Sequence, residues 1–238
     1  NSLGATSAMW DAQQKMLQAH YRTITCDARG HGRSPSPAAP YHFADLVADA
    51  IKVLDTHKVE TASVMGLSLG GMTALGLGLT APDRIERVVC CAARADAPPP
   101  FVQSWVDRLA ILETGGITKV WEGTIDKWLS AETRAAHPGR EASLREAFLA
   151  TTEQGYCGCA EALKRLSYMK DLGSMTRPTL FVAGADDGGA TPETMKAMAA
   201  ACPGSVFAEV PNAKHVVNVD RPDEFAQVIA GFLALDAA

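Results

Sequence analysis

Ser68 stands in the run VMGLSLGGMTALGLGL, residues 64–79, which carries no charged residue and only one other hydroxyl, that of Thr73. A serine between Gly66 and Gly70, where a β-rich stretch meets a helical one, has the G-x-S-x-G spacing of a nucleophile on a sharp turn. Small residues at 66 and 70 let such a turn close where a side chain would strike neighbouring backbone. The hydroxyl then projects above the sheet, and the N–H of Leu69, at the start of the following helix, faces the space where an oxyanion would form. A neutral hydroxyl attacks poorly, so this chemistry requires a base, and the base requires a group that orients it. GADDGGATP places Asp186 and Asp187 after one β-rich run, and PNAKHVVNVDRP places His215 in a loop after the next. Serine, aspartate and histidine in that order, each on a loop after a different strand, point to acyl transfer through a hydroxyl nucleophile. Singly, each has a plainer explanation, since aspartates after strands cap helices, loop histidines are solvated and glycine turns cradle phosphate. The phosphate alternative lacks its own pattern: no lysine follows the glycines, and GLGL at 76–79 lies inside the helical stretch.

Five β-rich runs must carry these loops: YRTITCD (21–27), TASVMG (61–66), RVVCCAA (87–93), PTLFVAG (178–184) and SVFAEV (205–210). Amphipathic stretches separate them, as in FADLVADAIKVLDTHK, where Phe43, Leu46, Val47, Ala50, Ile51 and Leu54 recur at helical spacing. Strand then helix, repeated, predicts an α/β fold: a mostly parallel sheet with helices on both faces. The alternation lapses from about Ala95 to Leu172, where only helical stretches occur, punctuated by APPP, TGG, HPGR and EQGYCG. That length exceeds a plain loop, so 95–172 reads as a helical lid, with 1–94 and 173–238 as the core. NSLGATSAMWDAQQKML opens as a loop entering a helix, and the expectation is that amino-terminal strands of the sheet lie upstream of this numbering.

With 238 residues the chain suits one sizeable domain. A formal net charge of −5 and the lack of any basic run argue against a nucleic-acid partner. The same balance repels an anionic substrate at long range, so a carboxylated ligand would need a local cation. The apolar run at 64–79 falls short of the ~18 residues of a membrane span. Six cysteines include the adjacent pair Cys90 and Cys91 in an apolar run, and a CGC at 157–159 unlike a zinc-binding pair. Reduced structural thiols and a cytoplasmic location are the expectation. A homo-oligomer is compatible with the composition.

NSLG…MWDAQ, DARGHGRS, GLSLGG, GADDGGATP and AKHVVNVDRPDEF together resemble the α/β-hydrolase family, and most closely the 3-oxoadipate enol-lactonases, along nearly the whole chain. DARGHGRS and GLSLGG carry the superfamily likeness; NSLG…MW narrows it, because most relatives have HG where this chain has Asn1-Ser2. The resemblance implies Ser68 as nucleophile, His215 as general base, and Asp187, at the G-x-x-D spacing counted from Gly184, as the orienting acid. It implies the N–H of Leu3 as a second oxyanion donor beside that of Leu69. It also assigns His31 of DARGHGRS, a rival base by residue type, to a structural turn. PPPFVQSWVDRL begins a helix that sets Trp105 and Arg108 on one face, similar to the Trp-x-x-Arg of enol-lactonase lids. An arginine there can hold a substrate carboxylate through two parallel hydrogen bonds. The stretch RADAPPP departs from the family. The implied reaction is hydrolysis of a small anionic enol-lactone through an acyl-enzyme, with neither metal nor organic cofactor. A carboxylesterase, a perhydrolase or a carbon–carbon bond hydrolase would use the same three residues, and a small-ligand receptor could keep the scaffold.

Overall fold

In the computed structural model, which describes residues 1–234, four strands form one parallel sheet in the order β1-β2-β3-β4. The strands are β1 (Ala62–Leu67), β2 (Ile85–Cys91), β3 (Thr179–Gly184) and β4 (Val206–Val210). Before the sheet come α1 (Asp11–Leu17) and α2 (Phe43–Thr56); α3 (Leu69–Thr80) joins β1 to β2. Between β2 and β3 lie α4 (Pro99–Glu122), α5 (Ile125–Trp128), α6 (Ala131–Ala136), α7 (Pro138–Leu149) and α8 (Glu153–Lys164). α9 (Pro192–Ala201) joins β3 to β4, and α10 (Val217–Asp220) and α11 (Pro222–Leu233) follow.

The register places Leu67 opposite Cys91, Cys91 opposite Val182, and Gly184 opposite Val210, so all four strands end along one rim. Every residue of β3 is buried, which is why TLFVAG is an unbroken apolar run rather than an alternating one. For the same reason α3 is apolar around its whole circumference: it packs on β1 and β2 and is covered in turn by α2.

Residues 21–27 do not form the fifth strand that their composition suggests; they carry no ladder, and β1 pairs among the described residues only with β2. β-branched residues favour an extended chain, but a strand exists only as one side of a hydrogen-bonded pair, and no described residue forms a ladder with 21–27.

The helical excursion from β2 returns to the point where it leaves. Asp96 and Ser167 form an isolated antiparallel bridge, and Ala95 O accepts the N–H groups of Tyr168 at 2.6 Å and Met169 at 2.8 Å. Its α8 rests on the 27–34 turn through two glycines. A Cβ on Gly155 would lie 2.4 Å from Gly30 Cα, and Gly30 itself holds φ 77°. Gly155→Ala must push these backbones apart, and we expect a stability loss of about 1–3 kcal/mol, read as a lower urea midpoint at unchanged slope. All six cysteines carry free thiols. Among the described residues no helix is long and apolar enough to cross a membrane.

Candidate active site

β1 ends at Leu67 and α3 begins at Leu69, so Ser68 makes the turn alone, at φ 56° and ψ −114°. A side chain in that region carries about 1–3 kcal/mol of strain and stays there only when its surroundings over-determine it. Here three bonds do so: Ser68 N–H to Cys91 O at 2.8 Å, Gly70 N–H to Asn1 O at 2.9 Å, and Met72 N–H to Ser68 O at 2.9 Å. The flanking glycines permit the approach, since a Cβ on Gly66 would sit 2.1 Å from Gly70 O and one on Gly70 would sit 2.5 Å from Asn1 N. Among the described residues Ser68 Oγ has no hydrogen-bond partner.

Asp187 lies just beyond β3 and is 4% exposed, whereas Asp186 beside it faces solvent. Asp187 Oδ1 accepts the N–H groups of Gly189 at 2.8 Å and Ala190 at 3.2 Å, and Oδ2 accepts His215 Nδ1–H at 2.8 Å. Burial pushes the Asp187 carboxyl up, but the imidazole of His215 and the two amides together outweigh it, and the group titrates below the ordinary carboxylate value. The loop carrying His215 is anchored on the helical excursion. His215 N–H donates to Lys127 O and Val216 N–H to Trp128 O, both at 3.2 Å. Buried Asp220 reinforces the anchor by accepting Lys214 N–H at 2.8 Å and Ser130 Oγ–H at 2.8 Å. With Nδ1 committed to Asp187, Nε2 is the nitrogen left to accept a proton. The structure thus joins acid and imidazole and leaves the bond from Ser68 Oγ to Nε2 unformed. Such bonds are commonly long in ligand-free sites and tighten around substrate.

Leu69 N–H opens α3, where no intrahelical acceptor exists, and it donates to no described residue; nor does Leu3 N–H. Leu3 is held on both sides. Asn1 O is bound to the elbow through Gly70 N–H, and Gly4 N–H donates to His31 Nε2 at 2.8 Å. His31 is 1% exposed, its Nδ1 lies 3.0 Å from Arg29 O, and burial lowers its pKa to about 4. Both nitrogens are therefore committed at neutral pH, and His31 cannot serve Ser68 as a base.

Trp105 and Arg108 share the inward face of α4, with the guanidinium carbon 5.2 Å from the Trp105 ring centroid. Arg108 Nη1 donates to the hydroxyl of buried Tyr156 at 3.3 Å, and Arg108 has no carboxylate partner among the described residues. Trp105 Nε1 is buried without an acceptor. Aromatic contacts run from this cluster to the Leu3–Gly4 segment: Tyr156 packs 5.8 Å from Phe148, whose ring fills the place where a Cβ on Gly4 would stand. In the other direction Phe101, 6.1 Å from Trp105, carries Arg94 over its ring at 5.1 Å, and Arg94 Nη1 donates to Gly189 O in the Asp187 turn. These contacts link α4 to the Asp187 turn on one side and, through Tyr156 and Phe148, to Gly4 on the other. Sequence reasoning missed Arg94 and Tyr156. Arg94 had one signal, as the first charge after the apolar run VVCCAA; Tyr156 had none.

A model of the alpha/beta hydrolase family matches residues 1–228. 3-Oxoadipate enol-lactonase 1 of Acinetobacter baylyi is 30% identical over 233 residues, which cover 98% of this chain and 86% of that protein. The crystal structure of an enol-lactonase from Burkholderia xenovorans superposes with a TM-score of 0.93 at 32% identity, covering 98% of this chain and 89% of the other. A thermophilic esterase from Thermogutta terrifontis, solved with malate bound, superposes with a TM-score of 0.89 at 25% identity, covering 97% and 86%.

Proposed function

This chain belongs to the alpha/beta hydrolase family, and we propose that it is a serine hydrolase that opens a small carboxylated enol-lactone through an acyl-enzyme. The observation that carries the reading is the buried Asp187–His215 pair, 2.8 Å apart, on the same strand rim as the strained Ser68 turn. In the proposed reaction His215 Nε2 takes the Ser68 proton as Oγ attacks the lactone carbonyl. The N–H groups of Leu3 and Leu69 hold the oxyanion. Collapse breaks the ring C–O bond, and the departing enol oxygen receives the proton from Nε2; the enol then tautomerises to a ketone. Water, deprotonated by His215, attacks the acyl carbon and releases the acid with Ser68 restored.

Substrate charge has a matching site. Arg108 with only a phenol as partner, and Trp105 Nε1 with none, make a cluster with more donors than acceptors. A carboxylate supplies the missing acceptors, and does so beside a fixed cation. We expect Arg108→Ala to lower kcat/KM on 3-oxoadipate enol-lactone by about 10- to 100-fold and to change kcat/KM on p-nitrophenyl acetate less than about threefold. Steady-state rates on both substrates check this; an Arg108→Ala enzyme with undiminished kcat/KM on the lactone would favour a neutral-ester hydrolase.

The wider test is a panel of enol-lactones, simple esters and dienone substrates, run with wild type beside Ser68→Ala. Turnover of the lactone that disappears in the variant supports the reading. Binding of all members with no turnover would replace it with a receptor on the same scaffold.

A further inference from the structure

Leu3 N–H lies in the turn Ser2–Ala5, closed by Ala5 N–H to Ser2 O at 3.0 Å, with Leu3 and Gly4 at its centre. Gly4 has φ 88° and Leu3 does not have positive φ, which is the pattern of a type II turn. The central peptide of such a turn, from Leu3 C=O to Gly4 N–H, flips readily where glycine follows it, and a flip changes ψ at Leu3 and φ at Gly4, loosening the segment on the carboxyl side of Leu3. Phe148 seals one side of Gly4 so closely that a side chain could not be accommodated there, its ring carbons lying 2.4 Å from a built Cβ. On the other side the one polar group bound to the central peptide is a histidine imidazole, fully buried, with a hydrogen bond of 2.8 Å from Gly4 N–H.

We infer that His31 is a positioning residue for the oxyanion site: Nε2, by accepting Gly4 N–H, pins the carboxyl side of Leu3, as Gly70 N–H pins Asn1 O on its amino side, and so holds Leu3 N–H in place toward the oxygen that becomes charged when Ser68 attacks. This rests on the oxyanion role proposed above for Leu3. The imidazole suits the task because its two nitrogens are held in opposite senses. Arg29 O, 3.0 Å from Nδ1, can only accept, so the proton sits on Nδ1 and Nε2 presents its lone pair to Gly4. A flipped turn would aim the Leu3 carbonyl at that lone pair, an arrangement with two acceptors and no proton. Burial keeps the ring neutral down to about pH 4, so the lone pair is available throughout the neutral range. Histidine in DARGHGRS thereby acts on a residue 27 positions away without touching substrate.

The test compares His31→Phe, which keeps a ring and removes the acceptor, with His31→Gln, whose Oε1 lies as many bonds from the backbone as Nε2. With p-nitrophenyl acetate we expect His31→Phe to lose about 10- to 100-fold in kcat with KM changed less than about threefold, since a misaimed donor costs less than a deleted one. Affinity for phenylboronic acid, whose adduct with Ser68 places an oxygen at the oxyanion position, should fall by the same factor. His31→Gln should stay within about threefold of wild type in kcat. Undiminished kcat in His31→Phe, equal losses in both variants, or a loss confined to KM would overturn the inference. Should His31→Phe fail to fold, nitrogen-15 NMR of the wild-type imidazoles at pH 7 decides: protonated Nδ1 with free Nε2 at His31 supports the inference, and protonated Nε2 refutes it. Failure of the serine-hydrolase reading looks different, with no boronate binding by wild type and equal rates in wild type and Ser68→Ala.

Discussion

Ser68→Ala should lower kcat on every ester or lactone that the enzyme accepts by about 10⁴- to 10⁶-fold, the range seen when a nucleophile acting in concert with its base is removed. The loss is that large because no other hydroxyl can replace it. Of the two nearest along the chain, each five positions away, Thr73 Oγ1 donates to Leu69 O at 2.8 Å and points back into α3, and Ser63 lies near the opposite end of β1. What activity persists would come from the amides of Leu3 and Leu69, which polarise a carbonyl whether or not a nucleophile is present. Substrate binding should change little, because Oγ makes no bond that the ground state depends on. Stability separates two versions of the experiment. Alanine keeps a Cβ at φ 56° and leaves the turn as strained as before, so its unfolding midpoint should match wild type. Ser68→Gly removes the Cβ and should gain about 1 kcal/mol, visible as a rise in Tm with the same loss of activity. A fluorophosphonate label that still attaches to the alanine variant would show that the nucleophile lies elsewhere.

The loops bearing Ser68 and Asp187 could be read from sequence because each follows a largely apolar run that ends buried at the rim, as in VMGL and TLFVAG; the run before His215, VFAEV, is partly exposed and was legible from its β-branched and aromatic residues instead. The elbow was legible for a similar reason: Gly66 and Gly70 are needed by contacts within a few residues of Ser68, so the constraint leaves a local mark. The helical excursion was visible as a long gap between β-rich runs. Strand β2 stops at Cys91 rather than Ala93 because Ala92 turns to φ 44°, which no neighbouring residue type announces. Residues 21–27 misled because propensity describes one chain and a ladder needs two. The contacts that could not be read are those between segments far apart in number: His31 with Gly4, Arg94 with Gly189, and Arg108 with Tyr156, separated by 27, 95 and 48 positions. Their residue types are ordinary for exposed turns and helix faces, and each pair meets only through tertiary packing: two turns in the first, the loops after β2 and β3 in the second, and α4 against α8 in the third. Arg94 illustrates this. It follows an apolar strand as any solvent-seeking arginine might, yet its guanidinium lies over Phe101 and its Nε is buried without an acceptor.

Asp187→Asn should lower kcat by about 10⁴-fold while leaving the nucleophile in place. The carboxylate accepts His215 Nδ1–H through Oδ2 at 2.8 Å, which keeps the proton on Nδ1 and the lone pair on Nε2. Asparagine can preserve the turn by using its own oxygen for Gly189 and Ala190, which donate to Oδ1 at 2.8 and 3.2 Å. Its amide then faces His215 Nδ1 and donates, so the imidazole proton moves to Nε2 and the base is lost. Fluorophosphonate labelling of Ser68 should therefore proceed in Asp187→Asn but far more slowly than in wild type, whereas Ser68→Ala takes no label at all. Stability against pH gives an independent check. The folded carboxyl titrates below its ordinary value of 3.8, so the unfolded chain binds that proton first as pH falls. The stabilising contribution of Asp187 is complete above the unfolded value and disappears as pH drops through the lower folded one. Asparagine does not titrate, so the stability difference between wild type and variant should be flat from neutral pH down to about 5 and should shrink toward pH 3. An Asp187→Asn enzyme within tenfold of wild type would mean that His215 keeps its tautomer without help, and that the carboxylate serves only to fold the turn at Gly189 and Ala190.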